Sequence, residues 1–288
     1  MTEGYSALVD GAAWLDASSR GRIAVRGRDR TRLLHSITSN EVKKLQPGQG
    51  CYAFLLSPQG RIQADLALLC FADRFLIETE PELREKVLAH IRRYIVADQV
   101  ELEDVTGRTG EISVEGPQSA AILGSLGAPV PETPYAHDAW EEGSIANGGI
   151  TGQPGFRVFC AAEAVPALTR RLDAAGVKSA TPDDFRTVRI ENGKPRYGEE
   201  ISDTALPPET LQTHAVSFTK GCYIGQEIVE RIRARGHVNR TLQRIELSGA
   251  DPAAPGSTVD CGGKSAEIAS SVYSPRLGKA VALAYVRE

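Results

Sequence analysis

Three places in this 288-residue chain combine residue types that can do chemistry. The first is Lys220-Gly221-Cys222-Tyr223-Ile224-Gly225-Gln226-Glu227. It lies between a proline-rich loop (Pro207, Pro208) and an apolar-periodic, arginine-rich stretch from Ile228 to Arg235. That context makes it a loop-to-helix junction carrying one thiol. Unpaired backbone N–H groups and the positive end of a helix dipole stabilise anions at such a junction, and Lys220 adds a cation two residues away. These surroundings favour a thiolate, whereas most free cysteines are small buried apolar side chains. The second place is Glu191, which follows a helical run and precedes Asn192-Gly193. The third is Asp65, in the strand-like run GRIQADLAL. In the open each carboxylate is simply solvated. Alternation alone does not decide whether Asp65 faces a pocket.

Basic residues also gather here. Lys220, Arg231, Arg233, Arg235, Arg240 and Arg244 are opposed only by Glu227 and Glu230. Singly they read as a solvated helix face with Glu227–Arg231 and Glu230–Arg233 pairs. Together they can hold an anionic ligand or an acidic partner. Tyr223 is the only interleaved aromatic residue, which ranks RNA last. The glycines have uses of their own: Gly221 permits a tight entry to the helix. Gly225 at a helix start costs about 1 kcal/mol relative to alanine, so something must pack closely against it.

Other motifs fail their structural test. Gly48 to Ala53 fits G-x-G-x-x-A but precedes a strand rather than a helix, and Gly263-Lys264-Ser265 lacks the first glycine of a phosphate loop. No H-E-x-x-H or G-x-S-x-G run is present. The cysteines (Cys51, Cys70, Cys160, Cys222 and Cys261) are odd in number, thinly spread and without a C-x-x-C pair. That pattern suits free thiols in a reducing compartment. The histidines (His35, His90, His137, His214 and His237) are equally scattered, so no permanently bound metal is expected.

The elements that must position these residues can be read from period and punctuation. Arg22 to Val25 alternates as a strand, and Asp29 is placed to cap a helix through Ile37. Tyr52 to Leu56 and Ile62 to Cys70 form a hairpin across Ser57–Gly60, followed by a strand at Phe75 to Ile77. Pro81 opens a helix through Ile95, and Val100 to Val105 is a strand. Residues 107–180 then alternate strand and helix, which suggests an α+β unit. Thr181-Pro182-Asp183-Asp184 is a strong helix start. Beyond Arg240 short strands and glycines read as a small all-β module, barrel-like in pattern. Net charge is −4, which argues against DNA or an anionic membrane as a partner. The acidic first residues (Glu3, Asp10, Asp16) and the lack of a long apolar run predict a cytoplasmic protein with no membrane span.

The run K-G-C-Y-x-G-Q-E resembles the signature of the YgfZ family, folate-binding aminomethyltransferase-like proteins linked to iron–sulfur clusters, with mitochondrial relatives. Its surroundings, LPPETLQTHAVSFTKGCYIGQEIVERIRARGHVNRTL, are similar to that family's central block. RIENGKPRYGEEI (Arg189 to Ile201) is similar to a stretch shared with the glycine-cleavage aminomethyltransferases. LLHSITSNEVKKLQPGQGCYAFLLSPQGRIQADLALL resembles the family's first region.

The resemblance implies an α+β, aminomethyltransferase-like multi-domain fold. A discontinuous folate-binding domain would span 1–106 plus 181–239, a ferredoxin-like insert 107–180 and a C-terminal β-barrel 240–288, around a folate-sized pocket. It implies that Glu191 recognises the pterin, since one carboxylate accepts two hydrogen bonds from an aminopyrimidine edge. Asp65, Arg233 and Tyr197 would be further folate-binding candidates. The aminomethyltransferases carry an acidic pair where this chain has Ala64-Asp65, and the missing acid argues against methylene transfer. The resulting expectation is a tetrahydrofolate-binding protein that assists iron–sulfur assembly or repair in client enzymes, among them tRNA-modifying ones, and meets client or assembly proteins. Cys222 would be the functional thiol, activated by Lys220. The alternatives are a folate-dependent aminomethyl or one-carbon transferase, and a non-catalytic folate-sensing scaffold.

Overall fold

The computed structural model describes residues 1–236 and 238–287, so His237 lies outside the described residues. Its strands are β1 (Ala13–Asp16), β2 (Gly21–Arg26), β3 (Gln49–Leu56), β4 (Ile62–Cys70), β5 (Phe75–Thr79), β6 (Glu101–Asp104), β7 (Thr109–Glu115), β8 (His137–Trp140), β9 (Gly143–Asn147), β10 (Gly155–Ala161), β11 (Lys178–Ser179), β12 (Arg240–Glu246), β13 (Thr258–Cys261), β14 (Lys264–Ser274) and β15 (Lys279–Arg287). Its helices are α1 (Glu3–Asp10), α2 (Arg30–Ile37), α3 (Arg84–Tyr94), α4 (Ser119–Ser125), α5 (Val165–Ala174), α6 (Pro182–Glu191) and α7 (Gln226–Arg235).

The strands form three sheets, ordered β3-β4-β5-β2-β6, β11-β1-β7-β10-β9-β8 and β12-β15-β14-β13. Their central strands are buried on both faces, β5 and most of β4 and β15 throughout. In β4, Leu66 and Leu68 enter the main core with Ile23, Phe54 and Ile77. Asp65 and Ala67 face the other way, beside Glu78, which pairs with Ala67 across the ladder.

The local signals at the turns act as their chemistry dictates. Thr181 accepts from the Asp184 N–H while the Asp184 carboxylate receives the Thr181 N–H, a complete capping box. Asp29 stands at the N-cap of α2, but its side chain accepts from the Gln99 N–H at 2.8 Å instead of closing the helix. Gly225 caps α7 at φ +81, and a Cβ there would stand 2.5 Å from the Ser57 carbonyl, so glycine is required on both counts.

Two features depart from the expected layout. β1 sits in the second sheet, antiparallel to β7 and parallel to β11, so that sheet takes one strand from before 107–180. The C-terminal module, expected as a small barrel, is a four-stranded antiparallel sheet with a core on each face. Val281, Leu283 and Tyr285 pack with Ile190 of α6, while Ala282, Ala284 and Val286 pack with Ile245 and Ile268.

The first two sheets are sewn together by charge. Arg22 is fully buried. Its guanidinium donates to the carbonyls of Ser18, Arg20, Thr106 and Thr109, to Thr109 Oγ1 and to Glu111 Oε2 at 3.3 Å. Replacing Arg22 with Met leaves these buried acceptors unpaired. The expected loss is about 3–5 kcal/mol in chemical denaturation.

Candidate functional site

A narrow cleft opens where the first two sheets meet the segment after α6. Tyr52 of β3, Asp65 of β4 and Glu78 of β5 form one wall, Tyr135, Ile150 and Arg157 of β10 the opposite one, and Lys194 to Arg196 with His214 the rim. Arg20, Arg157, Arg189, Lys194 and Arg196 stand against Asp65, Glu78 and Glu80, five cations to three carboxylates. Arg189 is paired in addition with Glu199 and Glu200, and Arg196 with Glu82, so the cations of the cleft are largely balanced by carboxylates. Three rings stand in sequence: Tyr135 stacks on Tyr52 at 6.2 Å, and Tyr52 on His214 at 5.4 Å. Tyr135 holds φ +62, a left-handed conformation that costs of order 1–3 kcal/mol and is typical of functional sites.

Asp65 is 7% exposed. Its Oδ2 accepts from the Tyr52 hydroxyl at 2.8 Å. Its Oδ1 has no partner among the described residues. Burial, then the nearby Glu80 charge, push its pKa up to about 6, against the pull of Tyr52 and Arg20. At neutral pH it is therefore a carboxylate within easy reach of protonation, which suits a group that takes or gives a proton. Beside it Glu78 is bridged by Arg20 and by Arg157. Burial alone would raise the Glu78 carboxyl, but the two arginines outweigh it and hold it low. Glu80 pairs with Arg20 at 2.6 Å and with Arg196 at 2.9 Å. Lys194 donates to the Gly149 carbonyl, and burial pulls its pKa down.

Other residues singled out from sequence lie elsewhere. Glu191 is buried, but its Oε1 accepts from Tyr5 Oη at 2.8 Å and from Ser274 Oγ. Oε1 ties α1 and β14 to the end of α6, while Oε2, 3.8 Å from Arg276 Nη2, has no hydrogen-bond partner among the described residues; Glu191 does not line the cleft. Tyr197 packs into the main core, and its hydroxyl accepts from Lys86 Nζ at 3.1 Å. Arg233 lies over the Phe218 ring at 4.5 Å and lines a separate apolar groove with Pro207, Val229 and Ile232.

Lys220 does not face the thiol as expected. Its ammonium is buried and donates to the carbonyls of His35, Thr38 (2.6 Å) and Asn40 (2.9 Å), at the C-terminal end of α2. The physical reason is that the His35 carbonyl in the last turn of α2 is an unsatisfied acceptor at the negative pole of the dipole, and the Thr38 and Asn40 carbonyls just past the helix converge on the same point. Burial lowers the Lys220 pKa to about 8, so it is still an ammonium at neutral pH. Its charge reaches Cys51, whose thiol burial pushes up to about 12. The contact also serves the cleft, because Asn40 Nδ2 donates to the carbonyls of both Tyr52 and His214 at 2.8 Å. Cys222 is exposed, in the loop before α7. Among the described residues no group of His, Cys, Asp and Glu is arranged to hold a metal, and no helix is long and apolar enough to cross a membrane.

Sequence reasoning missed Arg20, Tyr52, Glu78, Glu80, Arg157 and Lys194. The available signal was a charge at a core-like strand position, as in Arg157 within Phe156–Cys160.

Residues 1–220 match the GCVT N-terminal domain. The chain belongs to that family. The aminomethyltransferase of Rubrobacter xylanophilus is 33% identical over 293 residues, covering 98% of this chain and 78% of the relative. That of Rippkaea orientalis is 30% identical over 303 residues, covering 99% and 81%. The glycine cleavage system aminomethyltransferase T of Bartonella henselae superposes with a TM-score of 0.89 at 22% identity, over 99% of this chain and 81% of that one. The fold is thus aminomethyltransferase-like, a mixed α/β architecture with several sheets.

The Lys220 arrangement is testable. Lys220→Met leaves these three carbonyls unpaired, and the expected loss in urea unfolding is about 1–3 kcal/mol.

Proposed function

We propose that this chain binds tetrahydrofolate in the cleft at Asp65 and acts on its one-carbon unit as a folate-dependent aminomethyl or one-carbon transferase. The unpaired Asp65 Oδ1, an acceptor buried in a ring-lined cleft rich in paired charges, is the observation that carries this reading. Such a group is left open at a cost of about 1–3 kcal/mol, which a donor on a ligand recovers. The residues present fit the ligand. Asp65 accepts from a ring N–H, the aromatic column offers flat surfaces, and Lys194 and Arg196 at the rim suit the carboxylates of the tail. When bound, tetrahydrofolate supplies the nitrogens that carry the one-carbon unit. The chain's part is to hold it, to shield it between two sheets, and to keep a proton-exchanging carboxyl at Asp65 oriented by the Tyr52 hydroxyl.

The names of the relatives support the transferase reading, and so does the placement of Ala64. Position 64 is buried in the main core, on the face opposite Asp65. The acid it lacks would not enter the cleft, so its absence does not weigh against transfer chemistry.

A second reading keeps one specific support. Of the five cysteines only Cys222 is exposed, and it sits in the run that resembles the YgfZ signature. In that reading the folate-bound protein assists iron–sulfur maintenance in client proteins, and Cys222 makes the contact. Complementation separates the two in cells lacking their own homologue. Transfer predicts that Cys222→Ala rescues and Asp65→Asn does not. Iron–sulfur maintenance through the thiol predicts that Cys222→Ala fails to restore an endogenous iron–sulfur enzyme.

Asp65 also sets a pH dependence. Its open oxygen is a strong, charge-assisted acceptor as the carboxylate and a weaker one once the group is protonated, so tetrahydrofolate affinity should rise between pH 5 and 7 with a midpoint near the raised value of about 6. Asp65→Asn should weaken binding by about tenfold, the worth of one hydrogen bond to a charged group, and flatten the profile. Calorimetric titration across that range checks both.

A further inference from the structure

The wall opposite Asp65 carries a second unanswered group of opposite sense. Arg157 is 5% exposed. Along β10 its neighbours Phe156 and Val158 pack into the core of the second sheet, so alternation turns Arg157 toward the first sheet and the cleft. One end of its guanidinium, Nη1, is engaged by Glu78 Oε2. The other edge, Nε and Nη2, has no hydrogen-bond partner among the described residues. The Tyr135 ring lies 5.8 Å from the guanidinium carbon, and the backbone at Gly148 lets Nη2 approach: a Cβ there would stand 3.4 Å from it. The two walls thus carry a buried acceptor and a buried two-donor edge, each without a hydrogen-bond partner among the described residues. A guanidinium edge is rigid and planar, and it matches an oxygen acceptor in a flat ring system.

We propose that Arg157 is a specificity-determining residue of this cleft, its free edge receiving the ring carbonyl of an oxo-pteridine while Asp65 accepts from the ring's N–H donors. The inference rests on the folate reading above and adds to it a residue, a ligand atom and a selectivity. An amino group in place of that carbonyl presents hydrogen atoms to a donor edge. It leaves both sides unpaired in a buried site, which is how hydrogen-bonding sites reject close analogues. The Glu78 pair fixes the guanidinium so that the edge is held ready before the ligand arrives.

The test uses two tail-less probes that differ at C4 and, with it, in the hydrogen on N3, 6-methyltetrahydropterin and its 4-amino counterpart, titrated calorimetrically into the full chain, and the change in their ratio on removing the Arg157 edge isolates that residue's part. The wild type should favour the oxo ring by at least about tenfold. Arg157→Gln, whose amide both donates and accepts, should bring the ratio to within about twofold, and Arg157→Met should do the same by removing the edge. A ratio on one protein sample does not depend on how much of it is folded, and thermal unfolding confirms that each variant is. A wild-type ratio near one overturns the inference without any variant, and so does a preference that survives in both variants. If the wild type binds the full tetrahydrofolate but shows no preference between the rings, the folate reading stands and Arg157 loses its role. If it binds neither probe nor tetrahydrofolate, the folate reading falls and takes this inference with it.

Discussion

The architecture depends on keeping a carboxylate charged between two sheets. Glu78 is 2% exposed, and it stays ionised because Arg20 arrives from the turn before β2 and Arg157 from β10 of the second sheet. Taking such charges from water is expensive, and the cost is offset only when every member is paired in good geometry. The same seam holds Glu111, whose pKa burial and then the Glu78 charge push up to about 7, against the pull of Arg20, Arg157 and Arg22. A seam made of apolar side chains would close. One made of long charged side chains in fixed pairs holds the sheets at a set distance and leaves a cleft between them. Asp65 Oδ1, Glu111 Oε1 and the Arg157 edge have no hydrogen-bond partner there among the described residues, and in the proposed function a ligand pairs with the first and the last.

The segment around the thiol is coupled to that cleft through the backbone. Ser39 Oγ donates to the Ala215 carbonyl and accepts from the Phe54 N–H, and its own carbonyl accepts from Ser217 N–H. Asn40 clamps the Tyr52 and His214 carbonyls while Lys220 holds Asn40 in turn. A run that reads as thiol chemistry is thus also a set of struts for the aromatic rim. The lysine belongs to the struts.

Local chemistry was legible in the sequence. The hairpin across Ser57–Gly60, the capping box at Thr181 and the close approach at Gly225 each follow from a few neighbouring residues, and each is present. The three-block resemblance gave the fold because its motifs lie in family order. What stayed hidden depends on partners far along the chain. Arg20, Glu78 and Arg157 are each more than fifty residues apart, so no window contains them together. Glu191 reads as a free carboxylate until β14 brings Ser274 against α6. Lys220 reads as a neighbour of Cys222 until the carbonyls at and just past the end of α2 converge on it. β1 reads as part of the first domain because nothing in four residues tells which sheet will take them. Asp65 could not be assigned a face, because a strand's register decides it and a shift of one residue reverses it.

The central claim is that the cleft between the first two sheets is where the ligand sits. The direct measurement is a crystal structure of the chain grown with excess tetrahydrofolate. The account predicts a flat ring between the two walls, with a nitrogen at hydrogen-bond distance, roughly 2.7–3.2 Å, from Asp65 Oδ1. A ring bound instead in the apolar groove under Phe218 and Val229, with the Asp65 cleft empty, would contradict it.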